Sequence, residues 1–275
     1  MTPAISVLIR TFNSAATLPE VLTRLDLQPE DEIIVVDSGS SDATLAIAEQ
    51  YHARIVIAGQ PFNYSKSLNL GFATAKNPWV LVLSSHCIPI APQYLSRWRV
   101  AIEKFPANVV VAFGTRLLSA KENPPGNSET PSYLNRTEWE RHKQTFAGNS
   151  NALYRKEGWR CRAFNEQLPT AEDLEWLGWA LQSGYDIAHL PGMTVLYRNR
   201  GSLRYMYAKG FIEAKIGRTI LGTGKISLMA LGVAMGFLVK KLFLGRIPPD
   251  VFMKQCAHQY GAFWGSRRLP SEEKK

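Results

Sequence analysis

Acidic residues are scarce in the last third of this 275-residue chain. From Tyr197 onward 4 Asp and Glu stand against 15 Lys and Arg, a net +11, whereas residues 1–196 carry −2. Cysteine is scarcer still: Cys87, Cys161 and Cys256 are too few and too scattered for a disulfide framework or a structural zinc site, and they suit a reducing compartment. No GxGxxG, GxxxxGKS, GxxxxGKT, HExxH or CxxC occurs, so dinucleotide oxidoreduction, P-loop hydrolysis and zinc proteolysis lack their usual support. No basic–aromatic module points to nucleic acid as a partner. Ile226–Val239 is a run of 14 uncharged, mostly apolar residues, short of the roughly 20 that a spanning helix needs. Met1–Asn13 has no basic leader, and Arg10 interrupts its apolar run, so it reads as a strand rather than a signal peptide. With 45% hydrophobic and 11% aromatic residues, the chain has the means to bury a core.

What is present is an alternation of short apolar runs with helical patterns. Ile5–Ile9, Glu32–Val36, Arg54–Ile57 and Trp79–Leu83 read as strands; Ser14–Leu25, Ser41–Tyr51 and Lys66–Ala75 read as the helices between them. Such spacing predicts right-handed crossovers and a mostly parallel, Rossmann-like sheet covered by helices on both faces. Ligands in such sheets bind at the C-terminal strand ends, which here carry Arg10-Thr11-Phe12-Asn13, Asp37-Ser38-Gly39-Ser40 and Ser84-Ser85-His86-Cys87. Val109–Phe113 is a further strand, Thr115–Gly148 a long Pro/Gly/Ser-rich connection of the kind used as a mobile lid or binding loop, AEDLEWLGWALQSG a helix, and DIAHLPGMTVLYR a last strand.

Several residues have the chemistry of a site. Asp37 can accept a hydrogen bond from a base or a ribose, or sit in an Asx turn with Ser40 or Ser41 capping the next helix. Glu172 and Asp173 open a helix; one reading is a general base held rigidly, the other a capping box with Thr170 as N-cap. His86 is a candidate metal ligand, while Cys87 points to the opposite strand face. Arg198 and Arg200 share a face in extended chain, which suits a diphosphate or a solvated basic edge. The apolar run 226–239 fits a buried helix, or an interfacial one whose flanking cations meet anionic lipid.

Five motifs in order, SVLIRTFNSAATLPEVL, EIIVVDSGSSDAT, FNYSKSLNLGFATAKNPWVLVLSSHCIP, FAGNSNALYRKEGW and FNEQLPTAEDLEWLGWALQSGYDIAHLPGMTVLY, span about residues 4–200. Together they resemble the family 2 inverting glycosyltransferases of GT-A fold, and FNYSKSLNLG with LSSHCIP is most similar to the rhamnosyltransferase-type branch. The resemblance implies a nucleotide-sugar-binding half (1–114), a mobile loop (115–148) and an acceptor and catalytic half (149–200) of the same domain; beyond it, charge and apolar pattern give a helical basic tail (201–275) suited to a membrane surface. It places Thr11, Asn13 and Asp37 around the nucleoside, and Lys66 and Asn69 near the diphosphate or sugar. Ser85, His86, Arg198 and Arg200 complete the donor site, and Asp173, with Glu172 beside it, is the base.

The departures from the family pattern matter as much. Ser84-Ser85-His86 stands where the family carries an Asp-x-Asp or Gln-Asp metal motif, and Arg198 where a metal-binding His is expected. The expectation is a metal-independent, or only weakly metal-dependent, transferase in which Arg198, with Arg200, stabilises the leaving diphosphate. The alternative cofactor is Mn²⁺ or Mg²⁺, with His86 as ligand. A lipid-linked glycan acceptor, a role in surface polysaccharide or lipopolysaccharide assembly, and a cytoplasmic, peripheral-membrane location complete the expectation. A non-catalytic adaptor that binds a nucleotide sugar or glycan is the alternative function. A nucleotidyltransferase is disfavoured, because RTFNSAA lacks the glycine-rich phosphate loop.

Overall fold

Strands rich in Val and Ile, buried on both faces, pair in parallel where helical crossovers return the chain to the same edge. In the computed structural model, which describes residues 2–122, 130–134, 148–198, 201–221 and 225–267, this accounts for the first half of the sheet. Ile5–Thr11 (β1), Glu32–Asp37 (β2), Arg54–Ile57 (β3) and Trp79–Ser84 (β4) lie in the order β3-β2-β1-β4, all parallel. Leu18–Thr23 (α1), Thr44–Gln50 (α2) and Tyr64–Thr74 (α3) connect them. The helices are shorter at their starts than the apolar spacing suggests, except α3, which begins two residues earlier because Asn63 accepts the Lys66 amide at 2.9 Å as its N-cap.

Cys87–Pro89 (β5), Tyr94–Lys104 (α4), Val109–Leu117 (β6), Ser132–Leu134 (β7), Asn151–Arg155 (β8), Lys156–Cys161 (α5), Glu172–Gln182 (α6) and Asp186–Tyr197 (β9) complete this part. The sheet continues β4-β8-β6-β9-β5, with β7 beside β9, and β8 is antiparallel to both neighbours. The sheet is therefore mixed: parallel over the first four strands, antiparallel where β8 enters. Strand β7 is a difference from expectation, because it lies inside the stretch 115–148 that has no periodicity; it borrows its pairing from β9. The rest of that stretch, 123–129 and 135–147, lies outside the described residues.

Alternation along β1 sends Val7 and Ile9 to one face and Leu8 to the other. The first set joins Leu18, Val21, Leu95 and Trp98 in one core; Leu8 joins Leu68, Phe72, Tyr154 and Trp176 in the second. Close approach decides two glycines. A Cβ on Gly71 would sit 2.0 Å from Leu8 Cδ1, so α3 lies directly on β1. At Gly114, where the β6–β9 register shifts, a Cβ would sit 2.1 Å from the Met193 carbonyl oxygen and 2.3 Å from Asn151 Nδ2. The carbonyl is backbone, and the amide is fixed by Tyr94 and Met193 at 2.5 and 2.8 Å. Gly114→Ala is therefore expected to destabilise by about 1–3 kcal/mol, read as a lower urea midpoint at unchanged slope.

The chain divides into two compact units, 1–117 with 124–198, and 118–123 with 199–275. The second consists of Leu203–Leu221 (α7), Leu228–Phe243 (α8) and Pro249–Gly265 (α9). Gly210, Gly261 and Gly265 let α7 and α9 touch backbone to backbone; a Cβ on any of them would meet a facing carbonyl oxygen at 2.0–2.1 Å. His258 and Glu213 bridge the same pair at 2.9 Å.

Candidate functional site

The strand register aligns Thr11 with Asp37 and Arg10 with Ser84, so the turns after β1, β2 and β4 open from one sheet edge. Asp37 is fully buried there, and its carboxylate accepts four hydrogen bonds. Oδ1 accepts from the Gly39 and Ser40 amides at 2.9 and 2.7 Å; Oδ2 accepts from Thr11 Oγ1 and Ser40 Oγ at 2.7 and 2.6 Å. The Asx turn offered by the sequence is formed, but neither Ser40 nor Ser41 caps α2, whose N-cap position is Ala43 without a side-chain cap; the four bonds fill the acceptor positions of the carboxylate and leave none for a base or a ribose. Asn13 occupies the left-handed region at φ 47°, which Asn tolerates. Its Oδ1 accepts from the Ser41 amide at 2.8 Å, and its own amide donates to Ser40 Oγ at 2.8 Å. Thr11, Asn13 and Asp37 thus join the first two turns into one rim, from which the ring of Phe12 projects, 62% exposed.

Ser85 is buried, with its Oγ 2.8 Å from Ser14 Oγ. His86 sets its ring edge-on to Tyr197, and its carbonyl accepts the Arg198 amide at 2.9 Å. The Arg198 side chain departs from expectation. It forms a forked pair with Glu20 of α1, Nη1 to Oε2 at 2.8 Å and Nη2 to Oε1 at 3.2 Å. That is the geometry with which a guanidinium would grip a diphosphate, so a leaving group would have to displace Glu20. Arg200 lies outside the described residues.

Lys66 is exposed on the first turn of α3. Asn69 is also corrected: its amide is committed to the scaffold rather than turned to a donor. Nδ2 donates to the Phe164 carbonyl and to Glu166 Oε1, both at 2.9 Å, while Oδ1 accepts from Trp159 Nε1 and the Phe164 amide, both at 3.0 Å.

The two carboxylates of α6 are brought to the same edge by β8. Its leading turn is tied to β4 by the Ser84 amide on the Ser150 carbonyl at 3.1 Å. Asn149 in that turn binds both acids: its Nδ2 donates to Glu172 Oε1 at 3.1 Å and its backbone amide to Asp173 Oδ2 at 3.2 Å. Its Oδ1 accepts from the Tyr154 hydroxyl at 2.7 Å. Burial holds Tyr154 well above the usual phenol range, and the charges of Asp173 and Glu172 add to this, so the hydroxyl stays a donor. Asp173 Oδ1 accepts from the Leu174 amide at 2.8 Å. The expected N-cap at Thr170 is not formed; Ala171 holds that position at φ 62°, without a side-chain cap. A non-glycine residue there stores strain, and the acids that follow it face Asn149. Arg10 closes the cluster. Its Nη1 lies 3.7 Å from Glu172 Oε1 and has no hydrogen-bond partner among the described residues, and its guanidinium lies 5.0 Å from the centre of the Tyr64 ring.

The residues at the expected metal position do not fit a divalent ion. Among the described residues no three of His, Cys, Asp or Glu converge on one point. Ser85 and His86 offer a hydroxyl and an imidazole engaged with Ser14 and Tyr197, whereas Mg²⁺ and Mn²⁺ favour carboxylate oxygens.

A model described as Glycosyl transferase family 2 matches residues 6–161, more than half of the chain. The chain belongs to that family. It is a glycosyltransferase. The O-antigen chain rhamnosyltransferase RfbN of Salmonella typhimurium is 24% identical to it over 289 residues, 96% of this chain and 91% of that protein. Among solved structures, the mannosyltransferase PcManGT of Pyrobaculum calidifontis, in complex with GDP-Man and Mn²⁺, has a TM-score of 0.64 at 15% identity, over 100% of this chain and 89% of that one. TarS 1–349 of S. aureus, in complex with UDP-GlcNAc, gives 0.58 at 17% identity, covering 95% and 90%. These likenesses show the fold, and it is the GT-A type.

In this glycosyltransferase, Arg10 and Asn149 join the candidate site in roles that the sequence does not give them. Arg10 had a visible signal: it is the one charge inside the apolar run of β1. Asn149 had only its place in FAGNSNALY, since its partners come from α6 and from Tyr154 in the next strand.

Proposed function

We propose that this glycosyltransferase moves a sugar from a nucleotide-diphosphate donor to a hydroxyl of a glycan acceptor with inversion, Asp173 acting as general base. The observation that carries the reading is the acid pair fixed by Asn149 at the edge where the turns of β1, β2 and β4 open. The acceptor oxygen attacks the anomeric carbon as the bond to the diphosphate breaks on the opposite side. The acceptor proton passes to Asp173, and the diphosphate leaves with the bonding electrons. Asp173 suits the base better than Glu172, which is only 4% exposed. A fixed carboxylate at a helix start supports catalysis over a purely adaptor role.

The exposed Asn13 and Phe12, on a turn that buried Asp37 braces through Thr11 and Ser40, support a nucleoside site, with the face of Phe12 available for stacking on the base. Likeness to an O-antigen chain rhamnosyltransferase supports a deoxyhexose donor and a role in surface-polysaccharide assembly, and the basic tail, +11 from Tyr197 onward, supports a lipid-linked acceptor. The poor fit of Ser85 and His86 to a divalent ion supports metal-independent transfer, although PcManGT, and a glucosyl-3-phosphoglycerate synthase of Mycobacterium tuberculosis with a TM-score of 0.57 at 19% identity over 79% of this chain and 80% of that one, are described in complex with Mn²⁺.

Thermal unfolding with UDP, TDP, GDP or CMP, each in EDTA and in Mn²⁺, tests the donor site. At 100 times its dissociation constant the correct nucleotide stabilises the fold by about 2.7 kcal/mol. Stabilisation by one nucleotide in EDTA is the expected result. Stabilisation only with Mn²⁺ would return His86 to the site and end the metal-independent reading; no response to any nucleotide would end the donor reading itself.

A further inference from the structure

Helix α8 (Leu228–Phe243) is almost wholly apolar, yet Leu238 is its only buried residue. Met229, Val233, Phe237 and Phe243 are 80%, 66%, 59% and 85% exposed, and Leu244 beyond the C-terminus is exposed too. At 3.6 residues per turn these five side chains and Lys240 fall within an arc of about 120°, with Leu238 on the opposite side. A contiguous apolar face of this kind costs free energy in water and marks an interaction surface. A Cβ built on Gly232 or Gly236 would meet nothing within 4 Å among the described residues.

The charges around the face select its partner. Between Lys225 and Pro249 the chain carries Lys225, Lys240, Lys241 and Arg246 and no acidic residue. Lys241 bonds Glu122, with its ammonium 5.0 Å from the centre of the Phe237 ring. Lys225, Lys240 and Arg246 are exposed. We propose that α8 lies in the surface of an anionic lipid bilayer, with Met229, Val233, Phe237, Phe243 and Leu244 among the acyl chains and the flanking cations at the phosphate headgroups.

Two arguments favour a lipid surface over other occupants. A helix of 16 residues is about 24 Å long, shorter than the roughly 30 Å hydrocarbon core. Among the described residues no helix is long and apolar enough to cross a membrane, so a flat orientation is the one available. A second copy docked face to face would bring Lys240 against Lys240 with no acidic residue between 225 and 249 to offset the repulsion. An anionic surface turns the same cations into attraction, about 1 kcal/mol for each near the headgroups.

Flotation of the full chain with vesicles of phosphatidylcholine alone, or mixed with phosphatidylglycerol, tests the proposal without involving sugar transfer. The wild type is expected to float with the mixed vesicles, and to be released in part by high salt. A combined Met229→Ser, Phe237→Ser and Phe243→Ser variant changes only exposed side chains, so its unfolding midpoint should be preserved while vesicle binding falls at least about tenfold. Lys240→Gln with Arg246→Gln should weaken binding to the mixed vesicles alone, which keeps the test decisive if the triple variant folds poorly. Wild type that stays with the soluble fraction, or a folded triple variant that floats as wild type does, would overturn the proposal. So would a lipid-free dimer by light scattering that the triple variant converts to monomer; in that case the face belongs to a second copy.

Discussion

Asp173→Asn is expected to lower turnover by about 10²–10⁴-fold, the usual contribution of a general base, while leaving nucleotide binding and the unfolding midpoint close to wild type. The substitution is informative because the carboxylate has two sets of duties. Its oxygens accept from the Asn149 and Leu174 amides, and the amide oxygen of Asn can take over one of these bonds in the same space. It cannot take a proton from an acceptor hydroxyl. Steady-state transfer measured beside nucleotide affinity therefore separates the roles. Loss of turnover with retained affinity supports the base. Loss of affinity and of stability together would mean that Asp173 acts chiefly as the clasp between α6 and the turn before β8. Glu172→Gln is the companion: a buried neighbour that accepts from Asn149 and faces Arg10 is a positioning residue, and its loss should lower turnover less than loss of Asp173.

Much of this architecture is legible in the sequence, and the residues that are not share one cause. Arg54–Ile57 and Asp186–Tyr197 are strands where apolar runs and their flanking turns place them. The edge that gathers Thr11, Asp37 and Ser84 follows from parallel crossovers, which bring the C-terminal strand ends together. Side-chain partners are a different matter. Arg198 looks like a diphosphate ligand until Glu20, 178 positions away in sequence, is found in its fork. Asn69 looks like a donor contact until its amide is found holding residues 159–166. Thr170 with Asp173 has the spacing of a capping box, yet Ala171 holds the N-cap position in the left-handed region and the acids that follow accept from Asn149 instead. Local periodicity identifies elements; long-range pairing decides what a polar residue on them does.

Arg10 shows this most sharply, and it carries the second large effect. Glu172 and Asp173 are adjacent acids, one of them buried, and Arg10 is the cation placed against the buried one. Arg10→Gln removes that charge and leaves buried Glu172 with only the Asn149 amide to offset its charge, so a loss on the order of 3 kcal/mol in stability is expected, read from urea unfolding. Adding Glu172→Gln removes the stranded anion, and the double variant should recover most of the loss, a coupling that two independent sites would not show. Activity answers a separate question. Nη1 of Arg10 is buried and has no hydrogen-bond partner among the described residues, so a bound sugar or phosphate oxygen could use its donors. A double variant that regains stability but transfers sugar far more slowly than Glu172→Gln alone would assign that nitrogen to the bound donor or acceptor. Equal activity of the two would confine Arg10 to balancing Glu172, so that the two acids can sit side by side at the start of α6 without forcing each other apart.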